Sequence, residues 1–399
     1  MKSDKTTPNV PTLRFAEFTD EWGKYELSHF VTRITRRNKN NEYSLPLTIS
    51  AQYGLVDQIS FFNKTVASVD LSGYYLLYNG DFAYNKSYSN DYAWGAVKRL
   101  DKYEKGCLSS LYFVFRPNDN IDSDYLTHYF ESSKWHKGIS NIAGEGARNH
   151  GLLNMAVDDY FATKHYLPSL PEQKKIARVF NAITRRIGIQ NKIISKYETL
   201  IKGLYHEFFS KPADYAVKIK DLINKGKAGG TPSSTVAQYY NGDIPFLSIS
   251  DMTKQGKYVS YTEKHISKSG IENSSAWIVP SNSLIFSMYA SVGLVCINTV
   301  PLATSQAMFS MVLKDHRMIE YIYYYLNFFR ETKIHRHIET GTQSNINAET
   351  VRNIDIPFQS NHLKLVETLN SIEKRLNNEK DMLSLLLDLK AYLLSKLFI

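Results

Sequence analysis

Ser169–Ser210 reads SLPEQKKIARVFNAITRRIGIQNKIISKYETLIKGLYHEFFS. Its residues Ile176, Phe180, Ile183, Ile187, Ile194, Tyr197, Ile201, Leu204 and Phe208 fall in alternating steps of four and three, with Gln190 as the one polar member. That rhythm lays a narrow apolar stripe along a helix, the seam of a coiled coil. The chain closes on a second copy, Ser360–Ile399, SNHLKLVETLNSIEKRLNNEKDMLSLLLDLKAYLLSKLFI. Its seam is Leu365, Leu369, Ile372, Leu376, Leu383, Leu386, Leu393 and Leu397, interrupted by Glu379 and Lys390. Pro357 follows Pro168 by 189 residues and Glu379 follows Gln190 by 189, so even the polar break repeats in register. Ordinary domain helices average about 11–12 residues, far shorter than either stripe.

The ends carry signals too. Ser169-Leu170-Pro171-Glu172 has the form of a capping box with a proline in the first turn, and Lys211-Pro212 supplies a stop. Between and before the helices lie two copies of one module. Each opens with a short apolar element and a basic loop: Leu27–Val31 then residues 33–41, and Ile219–Ile223 then residues 224–233. Leu45–Ser50 answers Ile244–Ser250, Gly80–Tyr84 answers Asn282–Phe286, and Ser109–Phe113 answers Ser305–Phe309, each a turn feeding an apolar strand. Short helices follow with tyrosines four apart, Tyr125 and Tyr129, then Tyr321 and Tyr325. A late polar loop, Gly144 with Arg148-Asn149 and Gly341 with Gln343-Ser344-Asn345, precedes each long helix. Residues 10–22, around Leu13, Phe15, Phe18 and Trp22, read as an extended arm packed on the first module.

The expected fold is α+β: two repeated mixed α/β domains separated by a long antiparallel two-helix coiled coil, with pseudo-two-fold symmetry. The expected boundaries are residues 1–168 and 212–358 for the domains, 169–211 and 359–399 for the helices. With 399 residues, 43% hydrophobic and 22% charged, the chain is long enough for two packed cores. Cys107 and Cys296 sit in different copies and signal neither a disulfide framework nor a zinc site. A reducing, cytoplasmic setting is expected, with no membrane segment. The net charge of +9 favours a polyanionic partner. At about 1.5 Å per residue the first helix is a ruler of roughly 57 Å, which fits two readers held apart on one duplex. The 28 Tyr and 20 Phe are expected to lie mostly in the cores.

These residues resemble the specificity subunit of type I restriction-modification enzymes. The resemblance covers nearly the whole chain. It rests on the opening Val10-Pro11-Thr12-Leu13-Arg14-Phe15, on Leu167-Pro168-Ser169-Leu170-Pro171-Glu172-Gln173-Lys174-Lys175-Ile176-Ala177 at the start of the first helix, and on Gly229-Gly230-Thr231-Pro232-Ser233. The second helix start, Ile356-Pro357-Phe358-Gln359-Ser360-Asn361, lacks the proline and the Glu-Gln pair. The resemblance implies two target-recognition domains, each binding one half of a split site on double-stranded DNA. It also implies helices that dock two modification (methyltransferase) subunits, with restriction motor-nuclease subunits joining for cleavage. S-adenosylmethionine, and ATP with Mg, would then belong to those partners, and this chain would need no cofactor.

No catalytic pattern is complete in the sequence. Gly144-Glu145-Gly146 has no counterpart beyond Gly341, Gly226-Lys227 lacks the remainder of a phosphate loop, and no Asn-Pro-Pro-aromatic run occurs. His335 and His337, two apart, suit opposite sides of a helix and not one metal. No catalytic or metal residue is assigned. For DNA, Arg and Lys fork onto guanine or phosphate, while Asn and Gln pair with adenine. The candidates are Arg33, Arg36, Arg37, Lys39, Lys86, Lys98, Arg99, Arg148 and Asn149 in the first module. In the second they are Lys225, Lys227, Thr231, Ser287, Tyr289, Gln343, Ser344 and Asn345. Two other readings compete: a stand-alone bipartite DNA-binding protein of repressor type, and a coiled-coil scaffold. Apolar residues off the seam, Ala177, Ile193, Leu200, Leu385, Leu389 and Ala391, favour a docking platform over a bare ruler.

Overall fold

A computed structural model describes residues 9–64, 67–68, 70–89, 91–143, 151–337 and 345–399. The chain divides into two compact units, Met1–Asn191 with Asp381–Ile399, and Lys192–Lys380. Unit 1 holds strands β1 (Gly23–Glu26), β2 (Val31–Arg33), β3 (Pro46–Ser50), β4 (Gly54–Asp57), β5 (Tyr75–Tyr78), β6 (Phe82–Asn85), β7 (Ala96–Arg99), β8 (Lys105–Leu108), β9 (Phe113–Pro117) and β10 (Lys164–Leu167). They form sheets of order β2-β9-β6-β7 and β4-β3-β8-β5, with β1 and β10 as an antiparallel pair. Alternation explains the layering. Phe82, Tyr84 and Phe115 point to a core shared with the helices, whereas Ala83 and Val114 point to a second core against Leu47 and Leu108. The first of these sheets is therefore buried on both faces.

Unit 2 repeats the plan with β11 (Tyr215–Lys218), β12 (Ile223–Ala228), β13 (Ile244–Leu247), β14 (Tyr258–Val259), β15 (Lys264–Ile266), β16 (Ser283–Ser287), β17 (Val295–Asn298), β18 (Ala303–Thr304), β19 (Met308–Leu313) and β20 (Asp355–Phe358). The orders are β12-β19-β16-β17-β14 and β15-β13-β18, with β11 paired to β20. Even the turns agree. Gly80 before β6 has φ 86° and Asn282 before β16 has φ 58°, a left-handed position where glycine is at ease and asparagine is tolerated.

Each unit has a helix against its sheet, α1 (Ser123–Glu131) and α3 (Ile319–Thr332), and shares the long helices α2 (Leu170–Phe209) and α4 (His362–Lys396). In unit 1 the early part of α2 meets the chain just past α4, Phe180 stacking on Phe398 at 5.7 Å. In unit 2 the late part of α2 meets the middle of α4, Glu198 pairing with Lys380 at 3.0 Å. The two helices thus run antiparallel. Burial follows the seam: Ile176, Phe180, Ile194, Ile201, Phe208, Leu369, Leu376 and Leu397 are buried, and the remaining apolar seam positions are half-buried. Carboxylates on α1 and α3 tether the sheets to these helices. Lys390 reaches Glu131 at 2.9 Å in unit 1, and Lys202 reaches Glu331 at 3.0 Å in unit 2. Burial opposes charge on Glu131, but His128 and Lys390 prevail and hold its carboxyl down at about 2.

The start of α2 differs from expectation. Glu172 is 1% exposed and accepts both Nε and Nη2 of Arg14 at 2.8 Å, so it serves a buried ion pair where a reciprocal cap was expected. Gln173 accepts the Asp122 amide and donates to the Pro168 carbonyl. Residues 10–22 form no strand; Leu13 donates to the Lys396 carbonyl and Trp22 is buried. Ala177, expected on the outer surface, lies in the core of unit 1. No helix among the described residues is long and apolar enough to cross a membrane.

Unit 1 also buries a histidine. His165 is 3% exposed, between Tyr129 Oη and Thr163 Oγ1, each at 2.8 Å. Thr163 gives its own hydrogen to the Tyr160 carbonyl, so Nε2–H donates to Thr163 and Nδ1 accepts from Tyr129. Burial pushes the imidazole from 6.5 down to about 4, and it stays neutral in the fold. An unfolded chain takes up the proton near 6.5, so this stabilisation is complete above that pH and drains away as pH falls towards 4. The loss is roughly 3 kcal/mol, by the conversion of pKa difference to free energy. Chemical denaturation between pH 7 and 4 should show it, and His165→Gln should flatten the dependence. An equal slope in that variant would assign the acid sensitivity elsewhere.

Candidate nucleic-acid interface

One end of each unit gathers its loops. In unit 2 the chain leaves β12 through Gly229 and Gly230, whose amides donate to the carbonyls of Met308 and Thr304. A Cβ on Gly229 would lie 2.0 Å from the Thr304 oxygen, and one on Gly230 2.3 Å from the Ala276 nitrogen, so only glycine lets these segments meet. The next residue, Thr231, donates to Gln306 Oε1 at 2.5 Å. The turn after β16 joins them: Met288 donates to the Ala307 carbonyl and accepts from the Ile346 amide at 3.0 Å. Thr231, Tyr289, Gln306 and Asn345 therefore belong to one loop end. Lys227 donates to the Ser275 carbonyl at 3.2 Å and Lys225 lies 4.1 Å over the Trp277 ring, both on the exposed edge strand β12.

Unit 1 builds the same junction from other residues. Lys86, at the end of β6, accepts through its carbonyl from the Leu153 amide at 3.0 Å, as Met288 does from Ile346. Its ammonium sits 4.7 Å over the Phe113 ring, and burial lowers its pKa. Arg33 ends β2 with its guanidinium 3.8 Å from Asp158. Arg37 donates to the Gly73 carbonyl and covers the Tyr75 ring at 4.2 Å, and Lys39 is exposed in the short turn Lys39–Asn41.

Four candidates have other work. Arg36 donates to Leu76 O and, with Arg116, clamps the fully buried carboxylate of Asp81 at 2.8 and 2.6 Å. Arg99 is tied at 2.6 Å to Asp101 and 2.7 Å to Asp124; burial opposes its charge, yet these carboxylates leave its pKa raised. Lys98 is largely enclosed, and burial lowers its pKa beside Glu131 and Lys390. Ser287 is fully buried and gives its hydroxyl to the Tyr289 carbonyl, so it is framework. Gly144-Glu145-Gly146, Arg148, Asn149, Gly341, Gln343 and Ser344 lie outside the described residues.

Sequence reading missed Gln306, which only its turn between β18 and β19 brings beside Thr231. As expected, most of the Phe and many of the Tyr side chains are buried; Tyr53, Phe61 and Phe62, around the β3–β4 hairpin, are exposed, as is Leu111 in the turn before β9. No group of three or more metal-ligating side chains occurs among the described residues.

Known proteins resemble this chain in sequence and in fold. Residues 212–382 match the type I restriction modification DNA specificity domain. The chain is 29% identical over 174 residues to the type I restriction enzyme MjaIX specificity subunit of Methanocaldococcus jannaschii, covering 42% of this chain and 40% of that protein. It is 30% identical over 197 residues to the HindI specificity subunit of Haemophilus influenzae, covering 46% and 43%. In each case the chain spans less than half the length of the curated relative it matches. The crystal structure of a type I restriction-modification system S subunit from M. genitalium aligns over 98% of this chain and 99% of that one, at TM-score 0.57 and 14% identity. Residues 212–382 are thus similar to a type I restriction modification DNA specificity domain, and the chain as a whole has the fold of an S subunit.

Proposed function

We propose that this chain is a non-catalytic DNA reader in which each unit recognises one half of a bipartite, asymmetric duplex site. The observation that carries this reading is the junction built twice on one framework, Lys86 with Leu153 and Met288 with Ile346, surrounded by different side chains in the two units. A shared scaffold with unlike loops suits two half-sites of unlike sequence. The bases would be read by side chains from these loop ends, chiefly Arg33, Arg37, Lys39 and Lys86 on one side and Thr231, Tyr289, Gln306 and Asn345 on the other. The recognition domains would run over residues 1–168 and 212–358, and the helices over 169–211 and 359–399.

The long helices would set the spacing between half-sites. They would also dock two modification subunits, to which motor-nuclease subunits would join. Support comes from a second apolar stripe on α4, Met382, Leu385, Leu389 and Tyr392 in steps of three and four, each 43–63% exposed. A bare spacer needs no such stripe; a docking surface does. This favours an assembly over a stand-alone bipartite repressor.

Co-expression with the modification subunits and sequencing of methylated host DNA would test the proposal. A split, asymmetric methylated motif is expected. Replacing Ile219–Asp355 by the equivalent segment of a relative should change one half of that motif and leave the other. A motif altered in both halves would mean that the units do not read independently, and a chain that binds duplex but captures no partner would favour the repressor reading.

A further inference from the structure

Away from the loop ends, unit 1 contains a cleft of about 510 Å³ rimmed by Lys24, Lys134, Lys137 and Lys164. These lysines come from four separate stretches: β1, the turn after α1, the short helix His136–Ile142, and β10. None of the four has an ion-pair partner among the described residues, and the cleft is also lined by Asp159 and by the last residue, Ile399, so cations still outnumber carboxylates there. Four like charges around one cleft repel one another unless an anion lies between them.

The floor decides what kind of anion. It is formed by Tyr129, His165 and Thr163, whose hydrogens are all committed in the relay from Tyr129 to His165 to Thr163 to the Tyr160 carbonyl. The imidazole is neutral and buried, so the floor offers no free donor to grip a small anion from below. What remains is a ring of ammonium groups from four stretches, one of them, Lys24, lying 5.3 Å over the Tyr166 ring. Such a ring suits the repeating charge of a phosphodiester backbone, which lysines neutralise without reading.

Two elements link the cleft to the candidate interface. The helix His136–Ile142 carries Lys137, and Gly151, nine residues further along the chain, accepts the Tyr88 amide. The helix Val157–Phe161 carries both Asp158, 3.8 Å from Arg33, and Asp159 on the rim. A duplex seated on the loop end of unit 1 can therefore continue along this flank.

We propose that the lysine-rimmed cleft of unit 1 holds backbone phosphates of the duplex outside the half-site, adding affinity without sequence preference. This rests on the DNA-reading function proposed above. The experiment is equilibrium binding of the full chain to labelled duplexes at 50–200 mM salt, comparing wild type with the Lys24→Gln, Lys134→Gln, Lys137→Gln, Lys164→Gln variant.

Each lost phosphate contact lowers the slope of log affinity against log salt by about 0.9. If two to four contacts are made, the variant should lose about ten- to a hundredfold less affinity than wild type across that salt range. The site preference among duplexes should stay unchanged, and the fourfold Lys→Arg variant should restore the slope. An unchanged slope in a folded glutamine variant overturns the cleft proposal while leaving the reader intact. So does a variant that loses binding of inorganic pyrophosphate with no change on duplex. A wild-type chain that binds no duplex at any salt overturns the reader, and this inference with it.

Discussion

Adding one heptad to each long helix, after Ile187 in α2 and after Leu376 in α4, is expected to abolish specific binding to the original site. The insertion preserves the seam and lengthens the helix pair by about 10 Å. That length equals about three base pairs of rise. Three pairs also turn the duplex by roughly a hundred degrees at about 10.5 pairs per turn, whereas the seam drifts only about 20° per heptad. If the two units read one duplex as proposed, one loop end would then face away from its groove. Specific complexes exceed non-specific ones by about 10³-fold or more, so losing one half-site should return affinity most of the way to the non-specific level. Footprinting on sites of stepped spacing would measure this. Full protection of the original spacing by a folded, extended chain would show that the helices do not set it.

The second large effect concerns the aromatic plugs near the ends of the helix stretches. Phe398 is 1% exposed and packs on Tyr125 and Tyr129 at 5.4 and 5.8 Å in unit 1. Phe209, 189 residues earlier, packs on Tyr321 and Tyr325 at 5.4 and 5.2 Å in unit 2. Truncating a buried phenylalanine to alanine costs about 3–5 kcal/mol, a large share of the stability of one domain. Phe398→Ala should therefore expose the amides of β6 and β9 while those of β16 and β19 stay protected, and Phe209→Ala should do the reverse. Hydrogen exchange read by segment distinguishes the two. Protection lost in both sets at once, in either variant, would mean that the units unfold together.

What could be read from the sequence was whatever repeats at short range. The four-three rhythm of α2 and α4 and the tyrosines four apart on α1 and α3 are local periods, and burial follows them. Matching turns such as Gly80 and Asn282 were legible because backbone geometry restricts which residues can stand there. Partnerships across long stretches of chain were not. Arg36 looked like a free cation in a polar loop until folding brought Asp81 beneath it, 45 residues away. Glu172 fitted a local cap, but Arg14 lies 158 residues off and offers a bidentate partner, which outweighs one backbone hydrogen bond. Ser287 fails for a simpler reason: β16 runs one residue further than its pattern indicates, carrying the hydroxyl inside. The lysine cleft draws on four separate stretches and leaves no trace in any one of them.

The crossing of the long helices also orders events during synthesis. Unit 2 is a single continuous stretch, Lys192–Lys380, while unit 1 needs Asp381–Ile399 to fill a core begun almost four hundred residues earlier. Chains fold as they emerge, at about 5–20 residues per second. The first unit to leave the ribosome must therefore wait, its aromatic cleft open, for roughly ten seconds or more after its last strand appears. The unit made second is the first able to close. Leu397 and Phe398 are among the last residues to join that core, so the nascent first unit keeps its aromatic interior uncovered for longer than the second.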